Sequence, residues 1–156
     1  MTDSAAGKAL TKTGYTERLY VTWYLWLLPL LGAGLLAAEV HLGYPGVRAW
    51  LPYVVLVPLT ALLIWRAGSA RVRIEGGELH VGNAHLPLEH MGTVEVFDAR
   101  DKRAVLGRGL DPTAFVLHRG WVRSLVRVEV TDPEDPTPYW VFSTRHPEKV
   151  ASLLRA

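Results

Sequence analysis

The sequence predicts a protein in two parts. An apolar α-helical hairpin, long enough to cross a membrane, is followed by an α+β domain of short antiparallel strands closed by one helix. Three observations carry this reading. Residues 19–65 hold two charged side chains, Glu39 and Arg48, whereas residues 66–156 hold 25. From Ser69 onward apolar and polar residues alternate with period two, the pattern of half-buried strands. The end of the chain returns to helical spacing, with Val150, Leu153 and Leu154 on one face. A length of 156 residues would ordinarily suit one domain. The uneven charge excludes a single water-soluble globule, and a hydrophobic share of 49% excludes disorder.

Residues 1–18 read as a short cytoplasmic lead. Residues 19–38 are uncharged, and twenty residues span roughly 30 Å, the thickness of a bilayer core. Residues 49–65 are also uncharged and reach about 25 Å, the short end of the range. The spans are set at about 19–40 and 49–65, with an external turn at 41–48. Tyr20, Trp23, Tyr24 and Trp26 crowd the start of the first span; Trp50, Tyr53 and Trp65 bracket the second. Aromatic rings favour the headgroup level. Gly43, Pro45 and Gly46 break the chain between the spans. Pro29, Pro52 and Pro58 lie within them, where each removes a helix hydrogen bond and predicts a kink.

Orientation follows from the Lys/Arg count in the flanks. Lys8, Lys12 and Arg18 precede the first span and Arg66, Arg71 and Arg73 follow the second, while the turn has only Arg48. Positive-inside bias then puts both termini in the cytoplasm of a multi-pass protein of the inner membrane. A cleaved signal peptide is the rival for the first span, though its apolar stretch is long and the Leu36-Ala37-Ala38 site is weak. Ala33, Gly34, Ala37 and Ala38 form a small-residue face that lets another helix approach, either the second span or a second copy.

Seven strands are predicted at 70–75, 78–82, 84–88, 92–98, 113–118, 125–131 and 138–143, with a helix at 147–155. Gly76-Gly77 and Gly82-Asn83 supply hairpin turns with positive φ. Residues 99–111 form a basic connection with room for one helical turn. His146 is the expected N-cap of the last helix and Pro147 its first residue. Seven antiparallel strands and a C-terminal helix match the element order of a pleckstrin-homology-like barrel, with an open β-sandwich capped by the helix as the alternative.

Several blocks together resemble a known family. They are Tyr15-Thr-Glu-Arg-Leu19, Ala38-Glu-Val-His-Leu-Gly-Tyr-Pro-Gly46 and Trp50-Leu-Pro-Tyr53 in the first part. Asp111-Pro-Thr-Ala-Phe-Val-Leu-His-Arg119, Thr131-Asp-Pro-Glu-Asp-Pro-Thr-Pro-Tyr-Trp140 and Ser143-Thr-Arg-His-Pro-Glu148 follow. Over roughly residues 15–155 the chain resembles an uncharacterised actinobacterial two-span membrane-protein family, domain of unknown function number three-zero-nine-three. Thr22 stands where that family commonly has proline, as does Gly120 before Trp121. The resemblance implies an integral membrane protein and brings no activity or catalytic residue with it.

No catalytic motif is present: there is no G-x-S-x-G, Walker loop or H-E-x-x-H. Without cysteine the chain has no disulfide, zinc ribbon or thiol chemistry. A net charge of +2 gives no nucleic-acid footprint. No cofactor or metal is expected. His80 and His85 face each other across the Gly82-Asn83 turn and read as exposed strand residues. Two clusters remain as binding candidates. Arg100, Lys102, Arg103, Arg119, Trp121 and Arg123 offer cations and an aromatic anchor to a protein partner or to anionic lipid. Glu39, His41, Tyr44 and Arg48 offer a contact surface at the external turn, with Glu39 in reach of Arg48. The expected function is a non-enzymatic membrane-anchored adaptor or scaffold whose cytoplasmic domain binds a protein. The alternatives are an anionic-lipid-sensing or envelope-associated regulatory subunit and an accessory subunit of a membrane enzyme or transporter.

Overall fold

Tyr15, Glu17 and Leu19 alternate with Thr16 and Arg18, and this short alternation makes a strand, β1 (Tyr15–Arg18), inside the expected lead. Tyr15, Glu17 and Leu19 are buried while Thr16 and Arg18 are exposed. The computed structural model describes residues 14–155. Lys8 and Lys12, used above to orient the spans, lie outside the described residues, as does Ala156. The chain divides into two units. Tyr20–Ala70 form one; residues 14–19 and 71–155 form the other.

In the helical unit, α1 (Tyr24–Gly43) starts five residues later than the expected span and runs three residues further. The start is late because Leu19 is fully buried in the β unit. A short 3-10 turn at Val47–Ala49 leads into α2 (Leu51–Ala67). The break is thus tighter than the expected turn at 41–48, and both Glu39 and His41 belong to α1. Pro52 sits in the first turn of α2, where an amide hydrogen bond would be missing anyway, so no kink is required there. Pro29 and Pro58 are interior. The two helices pack on each other, and the buried residues of α1 are Ala33 and Ala37. Gly34 and Ala38 are half-buried, and a Cβ at Gly34 would meet nothing within 4 Å. At the other end of the pair, a Cβ on Gly68 would stand 2.9 Å from the Val21 amide nitrogen, so only glycine fits against the Tyr20–Val21 backbone. Helix α1 and the helical stretch Val47–Ala67, which joins the 3-10 turn to α2, are long and apolar enough to cross a membrane.

In the β unit, β1, β2 (Arg71–Glu75), β3 (Glu78–Val81) and β4 (Ala84–Pro87) form an antiparallel meander. Gly76 and Gly77 both have positive φ (65° and 83°), as the two-residue turn between β2 and β3 demands. A second sheet has the order β5-β7-β8-β6, built from β5 (Met91–Phe97), β6 (Phe115–Leu117), β7 (Ser124–Val130) and β8 (Tyr139–Thr144). Lys102–Val105 make the single helical turn α3, and α4 (Pro147–Leu154) packs on β5 and β7.

This corrects the predicted barrel. Two four-stranded sheets stand in its place, no closed barrel forms among the described residues, and β6 pairs with β8 in parallel. The physical reason lies in β8. After β6 the chain crosses through residues 118–123 to β7, and β8 then fills the slot between them. A strand so placed has a paired neighbour at each edge, and the burial of Trp140, Val141, Phe142, Ser143 and Thr144 in succession shows that both of its faces are covered as well. Val126 and Val128 on β7 pair with Phe142 and Trp140, and each fully buried large side chain contributes about 1.5–3 kcal/mol. His146 precedes α4 as expected, but its side chain makes no capping hydrogen bond.

β1 is tied to β8 by a buried carboxylate. Glu17 Oε2 accepts the hydroxyls of Thr144 (2.6 Å) and Tyr15 (3.0 Å), and Oε1 accepts the Arg145 amide (2.8 Å). Thr144 Oγ1 in turn accepts the His146 amide, so the network fixes the start of α4. Burial, then the neighbouring Glu17, pushes the Tyr15 hydroxyl up from 10.0 to about 12. Because the folded value lies above the unfolded one, Tyr15 stabilises the fold below pH 10.0, and this contribution is lost as pH rises toward about 12. A stability–pH curve is expected to fall over that window and to lose this step in Tyr15→Phe.

Candidate binding surface

The six residues of the predicted basic cluster do different things. Residues 99–101 lead into α3, and Arg100 and Arg103 are exposed. Lys102 is half-buried and donates from Nζ to the Val122 carbonyl at 2.6 Å. That bond anchors α3 to the segment before β7, and burial lowers the Lys102 ammonium from its usual range. Trp121 is not a free anchor. Its indole Nε1 donates to the Leu19 carbonyl at 3.1 Å, across 102 residues of sequence. The Arg119 guanidinium lies over the Trp121 ring at 5.9 Å, a cation–π arrangement. Arg119 Nε is buried with no hydrogen-bond partner. Arg123 is exposed. Replacing Trp121 with Phe keeps the ring and loses the bond to Leu19. The expected cost is about 1 kcal/mol of β-unit stability, read from thermal unfolding.

The structure adds His118, a residue sequence reasoning passed over. Its ring lines a groove of about 480 Å³ with Lys102, Arg103, Ala99, Leu106, Gly107 and Gly120. His118 Nδ1 lies 3.3 Å from Ser143 Oγ, which also accepts the Arg119 amide at 2.9 Å. Burial, then the charges of Lys102 and Arg119, lowers the His118 imidazole from its ordinary value, so the ring is neutral at pH 7. No carboxylate lines this groove. Asp111, close to this cluster in sequence, caps a turn. It accepts both the amide and the hydroxyl of Thr113, which hold its carboxyl below the usual range.

The cluster at the turn between the helices is only partly assembled. Among the described residues no ion pair joins Glu39 to Arg48. His41 instead packs edge-on against Trp50 (5.2 Å) and Tyr53 (5.9 Å). Tyr44 and Arg48 do come together, at an apolar groove of about 530 Å³ with Val40, Leu51, Pro52, Val55 and Leu56. His80 and His85 are register partners with ring centroids 6.1 Å apart, as the turn required. Among the described residues no group of three or more His, Asp or Glu could hold a metal ion.

No curated protein and no solved structure matches the chain. The profile of one family covers residues 14–154, from β1 to the end of α4, and so takes in both units. The chain belongs to that family, described as Protein of unknown function (DUF3093).

Proposed function

We propose that this protein is a non-enzymatic, membrane-anchored adaptor. Helices α1 and α2 cross the membrane as a hairpin, and the β unit stands on the cytoplasmic side and binds a protein partner. One observation carries the anchoring. The hairpin is inserted between two paired strands, because Arg18 of β1 is the register partner of Arg71 of β2. Both ends of the hairpin therefore connect to adjacent strands of the β unit, which supports an even number of crossings. The same pairing argues against a cleaved signal, since cleavage near Ala38 would remove β1 and its buried Glu17. Two further facts support a membrane over a soluble core. The apolar helical windows are only 11% and 6% buried, and Leu27, Leu28, Leu31 and Val54 are all exposed. A soluble hairpin so uncovered would aggregate. Arg18, Arg66, Arg71 and Arg73 flank the spans against Arg48 in the turn, which favours cytoplasmic ends.

The absence of cysteine makes the topology directly testable. Tyr44→Cys is expected to react with an impermeant maleimide in intact cells and Glu134→Cys only after lysis. The reverse pattern would sink the orientation. For the adaptor, a stoichiometric protein is expected to co-purify in mild detergent and to be lost on charge reversal at Arg123. Isolation of the intact protein without any partner, from cells cross-linked before lysis, contradicts it.

A second reading is favoured by the Trp121–Leu19 bond. It holds the 119–123 segment against Leu19, five residues before α1 in sequence, which supports a role for Arg123 in meeting anionic headgroups. Salt-sensitive preference for anionic over zwitterionic nanodiscs supports this reading.

A further inference from the structure

The groove beneath α3 has a chemistry that neither the anchor nor the adaptor reading uses. We infer that it is a phosphate-binding site, formed by Arg103, Lys102 and His118 over a floor of Ala99 and Leu106. Four observations lead there. The volume, about 480 Å³, lies in the range of small-ligand clefts. The polar side chains on its wall are two cations and an imidazole, with no acid among the lining residues. Arg103 is exposed and makes no ion pair among the described residues, so its guanidinium has its donors left for a bidentate anion. Lys102 is held in place by the Val122 carbonyl, and an ammonium has two further donors beyond that bond.

His118 completes the donor set. Ser143 Oγ accepts the Arg119 amide and lies 3.3 Å from His118 Nδ1, and the tautomer that offers Nε2–H to the groove is the one in which the Ser143 hydroxyl donates to Nδ1. In that tautomer the neutral ring carries its proton on Nε2 and is a donor to a phosphate oxygen. Gly120 and Gly107 keep side chains off two sides of the cleft. A phosphate ester would set its oxygens against Arg103, Lys102 and His118 and rest its carbon skeleton on Ala99 and Leu106. The same chemistry serves a soluble phosphate monoester and a phosphatidic acid headgroup.

The experiment uses the full-length protein in detergent and in nanodiscs. Glycerol 3-phosphate is titrated as the free ester. Nanodiscs containing phosphatidic acid are compared with phosphatidylcholine alone. Binding is read as affinity and as hydrogen-exchange protection of residues 99–107 and 118–120. Protection by the free ester in detergent identifies a soluble ligand; protection by phosphatidic acid alone identifies the headgroup. Either result supports the site. Arg103→Glu is expected to weaken binding about tenfold or more, and Arg103→Lys, which keeps the charge and loses the bidentate fork, to weaken it less. Gly120→Glu, at a position where a Cβ meets nothing within 4 Å, places a carboxylate at the rim and is expected to act likewise. Absence of protection by both sources overturns the inference. So does unchanged affinity in both charge variants when their unfolding temperatures match the parent. The free-ester arm needs no bilayer and no protein partner, so its outcome is separate from that of the adaptor reading.

Discussion

Replacing Glu17 with alanine is expected to destabilise the β unit by about 3–5 kcal/mol, more than any exposed charge in the chain. The carboxylate is buried, and three donors converge on it from Tyr15, Thr144 and Arg145. Alanine leaves those donors facing a cavity, and each buried donor without a partner costs about 1–3 kcal/mol. Relief is partial, because hydroxyls rotate toward other acceptors while the Arg145 amide is fixed. Glu17→Gln keeps one acceptor oxygen and is expected to cost roughly half as much. The Arg127–Glu95 ion pair provides the contrast. Both partners are partly exposed, at 34% and 42%, so breaking it is expected to cost at most about 1 kcal/mol. Thermal and urea unfolding of the three variants in one detergent ranks them. Equal losses for Glu17→Ala and Glu95→Ala would remove Glu17 from its role as the tie between β1, β8 and α4.

Glu17 also marks the limit of what the sequence shows. The two apolar helices are plain in it, because charge disappears for almost fifty residues. Strands β2 to β5 and β7 are plain too, because Val72, Ile74, Leu79, Val81 and Val94 alternate with polar neighbours. In β1 the alternation includes a buried acid, and Tyr-Thr-Glu-Arg reads as a polar lead. Only the partners of Glu17, more than 120 residues away, reveal that it belongs inside. The slot of β8 is hidden for a related reason. Alternation reports which face is buried, not which strand lies beside which. The run Trp140-Val141-Phe142 was still a signal, since a strand apolar at successive positions is covered on both faces. At the candidate surface, residue type located the cations but not their use. Lys102 and Trp121 are committed to backbone carbonyls, while His118, placed by β6 and Ser143, joins Arg103 at the groove.

The second large effect concerns which part of the chain folds alone. Composition suggests that residues 66–156 form a soluble β-rich domain. The register argues otherwise. That fragment lacks β1, and with it the buried side chains of Tyr15, Glu17 and Leu19. Losing the two apolar groups forfeits about 1.5–3 kcal/mol each. Losing Glu17 adds the penalty at Thr144 and Arg145, and exposes the edge of β2. The sum is comparable with the whole stability of a small domain, about 5–15 kcal/mol. Residues 66–156 alone are therefore expected to be unfolded or aggregated. A chain with β1 restored should behave differently. Arg18 and Arg71 are register partners, so Leu19 and Ala70 are placed to be joined by a two-residue Asn-Gly turn. That chain, residues 14–19, Asn-Gly and 70–155, keeps the Trp121 bond to Leu19 and the whole Glu17 network. It is expected to be a soluble monomer with a strand-dominated circular dichroism spectrum and a cooperative urea transition. If residues 66–156 unfold as cooperatively, and at the same urea concentration, as the joined chain, then β1 is an ornament and the hairpin is not an insertion in the β unit. If only the joined chain folds, one domain is built from both sides of the apolar helices, and any membrane they cross holds both their ends at one face.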